Sequence, residues 1–377
     1  MHSRHRHPHQ IPSLIQWDYD YNFRVTFTRD ISFCCLALKG PRLKVKREHT
    51  ILPGLTVSST QTEFELEPHW VQWLGSIQAD SFRDSSLYIT AVSQSHHDTG
   101  SQPVHQFLDN RVRLLHHTLV LLGCGYDEAV LMVGGNTSGG SLHVGPVRSG
   151  LTPCTRPYYR KARRIETADL ESAAVILNSL EHIYSHAPNP LYKRLRKGFN
   201  VWIRGAEESQ ELNERLHAFV RASEAVIKPT MVVRKRRVPG KNTLRKTIRP
   251  ITATFKSRGQ TFIGHSRASE RLLDQLYDIR SSVEHIKDVV PTVRKVRGIS
   301  VQEAFGFRAL QCEILASTIY SRILSNAGLR DCFSTEQKVE GFWKRAQGKR
   351  QALWGDPIDL NAETRNQFFS LVMPDFY

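Results

Sequence analysis

The run from Leu276 to His285 (LYDIRSSVEH) sets an arginine and a histidine five residues apart within a stretch of helical periodicity. Imidazole is the side chain whose ordinary pKa lets it both take and give a proton near neutral pH. Guanidinium stays charged and meets phosphate oxygens two at a time, so it suits a phosphorus centre gaining negative charge. Arg280 and His285 are therefore the groups that cleavage of RNA by its own 2′-hydroxyl requires, with no metal. The plainer alternative is an exposed histidine beside an Arg280–Glu284 ion pair at one-turn spacing.

Helix geometry constrains the pair. At about 100° per residue, Leu272, Leu276, Ile279, Val283 and Ile286 fall within roughly 80° of one another. His285 falls about 140° from the centre of that stripe, beside Ser281 and Asp278, while Arg280 lies on its margin. A core histidine belongs inside the stripe, so His285 is expected at a surface, a cleft or a subunit interface. Arg280 and His285 are themselves about 140° apart. One straight helix cannot aim both at a single group, so a distorted helix or a second copy of the chain is needed.

A second feature is electrostatic. Between Lys228 and Arg267 the chain has twelve Lys/Arg residues and no acid. The densest part is Arg234, Lys235, Arg236 and Arg237, followed by Lys241, Arg245, Lys246, Arg249, Lys256 and Arg258. A solvated loop is the bland account. Inside a chain whose 52 Lys+Arg exceed its 36 Asp+Glu by sixteen, the run instead points to phosphate attraction, which supplies affinity and little sequence preference.

Other candidates carry less. His182 and His186 have metal-compatible spacing but lack the Glu of a zinc-protease helix. The glycine-rich stretch from Gly134 to Gly140 lacks the Lys-Ser/Thr of a phosphate loop and reads as a hairpin turn or loop. Six cysteines without a C-x-x-C pair form neither a disulfide framework nor a zinc site. Four histidines in the first nine residues read as a mobile arm. Trp343 and Trp354 read as anchors of a last helix, with base stacking as the alternative. No metal and no cofactor are expected.

These groups must be positioned by a chain of 377 residues, 40% hydrophobic and 23% charged, an ordinary globular composition that implies two to three domains. No apolar run approaches a membrane span, and no secretory leader is visible, so a cytoplasmic protein without membrane association is expected. Period-two patterns at Phe23–Thr28, Leu43–Lys46, Thr62–Glu67 and Leu87–Val92 predict an antiparallel sheet or sandwich over 21–155, after an arm over 1–20. One helix near Asn110–Leu122 is expected within it. From 160 to 377 the period becomes helical, with helices over 173–183, 212–227, 268–289 and 300–326, the last opened by the Ser300–Glu303 capping box. The fold class is α+β: a β-rich part, then a helical bundle.

The Arg-x4-His pattern, with the acidic position in Phe219–Glu224 (FVRASE) on the preceding helix, resembles the HEPN superfamily over roughly residues 207–330. A β-rich part before such a bundle is similar to the Apea-like HEPN proteins of bacterial antiviral defence. The resemblance implies a homodimer whose two Arg/His motifs meet in a composite, metal-independent endoribonuclease site. It implies Arg280 as phosphate clamp, His285 as general acid/base, Glu224 and Ser281 as supporting groups, and a trigger such as a phage component sensed by the β-rich part. Many active members carry Asn, Asp or His where Ser281 stands. Lys287 replaces the tyrosine of members controlled by a nucleotidyltransferase antitoxin, which disfavours that control. The competing expectation is a non-catalytic, nucleic-acid-binding or dimerising scaffold.

Overall fold

A computed structural model describes residues 32–39, 45–60, 68–93, 104–124, 128–136, 142–145, 164–186, 189–206, 211–230, 232–237, 244–249, 251–285 and 293–368. The protein is α+β, with an antiparallel sheet towards the N-terminus followed by helices. The six sheet strands are β1 (Ser32–Lys39), β2 (His49–Leu52), β3 (Leu55–Ser58), β4 (Leu87–Ser93), β5 (Glu128–Asn136) and β6 (Leu142–Gly145), in the order β2-β3-β4-β1-β5-β6. Helices α1 (Pro68–Leu74), α2 (Ser76–Arg83) and α3 (Val104–Leu121) interrupt them.

The central strand β1 is buried from Ser32 to Leu38. Alternation sorts its side chains: Cys34, Leu36 and Leu38 pack with α3, whereas Phe33, Cys35 and Ala37 pack with Ala79 and Phe82 of α2. A strand covered on both faces reads as a continuous apolar run, which is why this central element lacks a period-two signature. Helices, not a second sheet, cover the faces among the described residues. Of the predicted strands, Leu87–Val92 is β4. Phe23–Thr28 and Thr62–Glu67 lie outside the described residues, as do the arm over 1–20 and part of Leu43–Lys46. Val45 and Lys46 are not in a strand; the Val45 N–H donates to Ser59 Oγ (2.8 Å), a side-chain acceptor in place of a ladder partner.

The helical part comprises α4 (Thr167–Ser185), α5 (Lys193–Ala206), α6 (Leu212–Ile227), a two-stranded ribbon of β7 (Val232–Arg237) and β8 (Leu244–Arg249), α7 (Ile251–Ile263), α8 (Arg267–Glu284) and α9 (Val301–Ser325). Four short helices close it: α10 (Ala327–Asp331), α11 (Glu336–Lys344), α12 (Gln347–Trp354) and α13 (Leu360–Gln367). Helix α4 joins the two halves. Its Leu170, Ala173 and Leu177 complete the sheet-side core, while Ile176, Leu180 and Ile183 enter the helical core.

Helix α6 is central, packed by α5, α8 and α9. Glycines make the α5 contact close: a Cβ at Gly198 would meet Tyr320 Oη at 1.8 Å and Ala225 Cβ at 2.7 Å. Tyr320 is fully buried and donates to the Ala222 carbonyl at 2.9 Å. The Ser300 cap of α9 accepts from the Glu303 N–H at 3.2 Å, as the capping-box spacing predicts. Trp343 and Trp354 are buried, with Phe262 against both rings, which fits anchoring and not base stacking.

A candidate active site at the seam of two helices

Residues 217, 221 and 224 are spaced four and three apart, so they line one face of α6. Residues 277, 280 and 284 do the same on α8. The two rows meet with opposite chain sense, since Arg221 faces Glu284 and Glu224 faces Arg280. Helix α8 is held in place from its other side, where Leu272, Leu273, Leu276 and Ile279 are buried in the helical core. Its N-terminus is fixed by Ser266, whose Oγ accepts from the Ser269 N–H at 3.0 Å.

Four charges alternate around this seam. Arg280 Nη2 lies 3.3 Å from Glu224 Oε2, and Arg280 Nη1 donates to Glu284 Oε2. Arg221 Nη1 lies 3.2 Å from Glu284 Oε1, and Arg221 Nε lies 3.6 Å from Glu224 Oε2. The Arg280 guanidinium also sits 5.5 Å from the centre of the Tyr277 ring. Arg280 and Glu224 are mostly buried, at 11% and 13% exposure, whereas Glu284 (37%) and Arg221 (46%) open to solvent.

Burial pushes the Glu224 carboxyl above its ordinary range, against the pull of Arg280 and Arg221. The one-turn Arg280–Glu284 ion pair of the plainer sequence reading is thus present, within a larger constellation.

His285 is elsewhere. The predicted helix over 268–289 ends at Glu284, and His285 is its C-cap, with its N–H bonded to the Ser281 carbonyl at 3.1 Å. It is exposed, as its position off the apolar stripe predicts. Ile286, predicted to continue the stripe, lies outside the described residues. Ser281 is half-buried, one residue past Arg280. Within one chain, then, Arg280 joins Glu224, while His285 stands at the solvent end of the same helix.

The imidazole that does lie with the arginines is His217, which the sequence reading passed over. Its Nε2 is buried and lacks a hydrogen-bond partner among the described residues, and so does Arg280 Nε. Burial lowers the His217 pKa, and the charges of Arg280 and Arg221 lower it further, against smaller opposing effects of Glu214 and Glu284. The signal was available: His217 precedes Glu224 by seven residues, two helical turns on the same face.

The described part of the acid-free segment contains the β7–β8 ribbon followed by α7. Arg234 pairs with Thr247, Lys235 with Lys246, Arg236 with Arg245 and Arg237 with Leu244. Cross-strand partners share a face, so positions 234, 236, 245 and 249 lie on one face and 235, 237 and 246 on the other. Lys241 lies outside the described residues. Lys256 and Arg258 belong to a different setting, on α7. Lys256 Nζ is 2.9 Å from Asp274 Oδ1, and Arg258 Nη1 donates to the Ile227 carbonyl at 3.1 Å and to the Lys228 carbonyl, beneath the Trp343 ring. Arg258 thereby caps the C-terminal carbonyls of α6.

The remaining candidates are structural in their contacts. The His182 and His186 rings meet edge to face with centroids 4.5 Å apart, and His186 Nδ1 lies 2.7 Å from the His182 carbonyl. No group of three metal-ligating side chains occurs among the described residues. Gly134 and Gly135 lie within β5, paired with β1 and β6. Among the described residues, no helix is long and apolar enough to cross a membrane. Comparisons with family models, curated proteins and solved structures each return no match for this chain.

Proposed function

We propose that the protein is a metal-independent endoribonuclease of the HEPN kind, acting in the cytoplasm as a homodimer in bacterial antiviral defence. The observation that carries the reading is the contrast along α8: Arg280 is held by two carboxylates at the seam, and His285 is exposed at the end of the same helix. A guanidinium so fixed can hold a phosphodiester in one orientation. An exposed imidazole can take the 2′-hydroxyl proton, or give one to the departing 5′-oxygen. Attack of the 2′-oxygen on phosphorus then yields a 2′,3′-cyclic phosphate and a 5′-hydroxyl end. The second copy supplies the other Arg/His half, because one helix does not aim Arg280 and His285 at a single group. The β7–β8 ribbon tracks the RNA backbone, and the sheet region receives the activating signal, for which a phage component is the proposed source.

RNA cleavage by the full chain, compared with His285→Ala and with added EDTA, tests this. Loss of cleavage by about 10²–10⁴-fold in the variant is expected, with an unchanged melting temperature and no effect of chelator. Full cleavage by His285→Ala, or inhibition by EDTA, refutes it.

One observation favours a second reading. Both Nη atoms of Arg280 are already engaged by carboxylates, as suits a structural ion pair in a nucleic-acid-binding scaffold. Under that reading the full chain binds RNA, never cleaves it, and is indifferent to His285→Ala.

A further inference from the structure

The seam contains two buried polar nitrogens without a hydrogen-bond partner among the described residues, Arg280 Nε and His217 Nε2. A buried polar group without a partner costs about 1–3 kcal/mol, and Arg280 Nε–H, with His217 Nε2 in its protonated tautomer, calls for an acceptor that the closed arrangement omits. The charge pattern says what kind. Arg221 and Arg280 flank Glu284, which touches both through separate oxygens. A carboxylate bridging two guanidiniums holds the position that a phosphodiester, also singly charged, takes between paired arginines.

Of the two acids, Glu224 is mostly buried, whereas Glu284 is partly exposed and is the last residue of α8. Glu284 can therefore leave at least cost. His217 stands one turn from Arg221 towards the end of α8, where a departing Glu284 opens the seam.

We propose that Arg221, Arg280 and His217 form a phosphodiester-binding subsite within one chain, and that Glu284 stands in for the phosphate in this structure. The inference rests on the reading of the seam as an RNA-processing site, and it adds two ligand-holding residues and a carboxylate latch. Displacing Glu284 exchanges one anion for another, so Arg280 and Arg221 keep their charge balance. His217 contributes an N–H to a phosphate oxygen in its neutral or its charged form, and its role is to position the group that His285 acts on.

The test is binding of uridine 3′-monophosphate and of inorganic phosphate to the full chain by calorimetry. The variants are Glu284→Gln, Arg221→Gln and His217→Ala, with RNA cleavage measured on the same preparations. Glu284→Gln should bind both probes about tenfold more tightly, by removing the competing anion, and Arg221→Gln about tenfold more weakly. His217→Ala should bind several-fold more weakly while His285→Ala binds as the parent does. All these side chains lie at the seam surface or half-buried, and thermal melting checks each fold. Should His217→Ala prove unstable, Glu284→Gln still decides the question. Unchanged affinity in both Glu284→Gln and Arg221→Gln overturns the subsite, and leaves the ribonuclease reading intact if cleavage still requires His285. The expected binding changes in a chain that does not cleave RNA uphold the subsite and remove the ribonuclease reading.

Discussion

Two regions of this molecule concentrate positive charge, and they treat it in opposite ways. At the α6–α8 seam every guanidinium faces a carboxylate, and Arg280 and Glu224 are largely withdrawn from water. In the β7–β8 ribbon neither strand contains an acid, and basic residues face each other directly across it, as at Lys235–Lys246 and Arg236–Arg245. Like charges directly opposite on neighbouring strands disfavour pairing. The ribbon thus accumulates positive charge along both strands. The seam accepts desolvation of charge for fixed orientation. The proposed function gives the ribbon the attraction of the RNA backbone and the seam the orientation of one phosphate.

That division predicts separable effects. The largest is expected from Arg280→Lys, which keeps the charge and removes the planar fork. Cleavage should fall by about 10²-fold or more, while RNA affinity changes less than about twofold, as measured by single-turnover kinetics beside equilibrium binding. A matched fall in both would merge the two regions into one binding surface.

Next is the ribbon. Replacing Arg234, Lys235, Arg236 and Arg237 with Ser should lower the slope of log affinity against log salt by about 3, at roughly 0.7 per phosphate on single strands. The single-turnover rate at saturating RNA should persist. A finer version compares Arg234, Arg236 and Arg245 with Lys235, Arg237 and Lys246, each set changed to Ser. A larger loss from the arginine face would identify the side of the ribbon that meets the backbone.

Stability should respond at the seam and not at the ribbon. Glu224→Ala leaves the buried Arg280 with one carboxylate and should cost about 2 kcal/mol, read as a lower denaturant midpoint.

The smallest effect concerns acid. Because burial and the two arginines lower the His217 pKa, the unfolded chain takes up this proton first as pH falls below about 6.5. Its contribution to stability is therefore lost progressively on the acid side of that value. Glu214 and Arg221 on α6, and Arg280 and Glu284 on α8, surround the imidazole and set this response. His217→Gln should flatten the slope of stability against pH between about 6.5 and 5. An unaltered slope would place the imidazole in contact with water.

Periodicity reported the helices that bury a single stripe. Ala173, Ile176, Leu177, Leu180 and Ile183 mark α4, and Ser300 with Glu303 marks the start of α9, because local spacing and capping are local physics. The order of the α+β halves was legible for the same reason. Helix α5 was not, since its many cations and its Gly198 and Gly205 obscure the stripe that packs on α6. The end of α8 at Glu284 also escaped, because Ile286 extends the pattern in sequence whether or not the backbone continues.

What the sequence determined by itself was the set of groups: an arginine and a histidine five apart, an acid on an earlier helix, and forty residues without a negative charge. Position off the apolar stripe was enough to put His285 in solvent. Tertiary structure alone decided which of these groups meet. The opposed packing of α6 on α8 brings Arg280 to Glu224, although 56 residues separate them, and it adds His217 and Arg221, which no spacing relates to Arg280. Packing likewise withdrew Arg258 from the basic run by engaging its guanidinium with the carbonyls at the end of α6. Spacing along a chain fixes which residues share a face; only the contact between two faces fixes which charges neutralise each other.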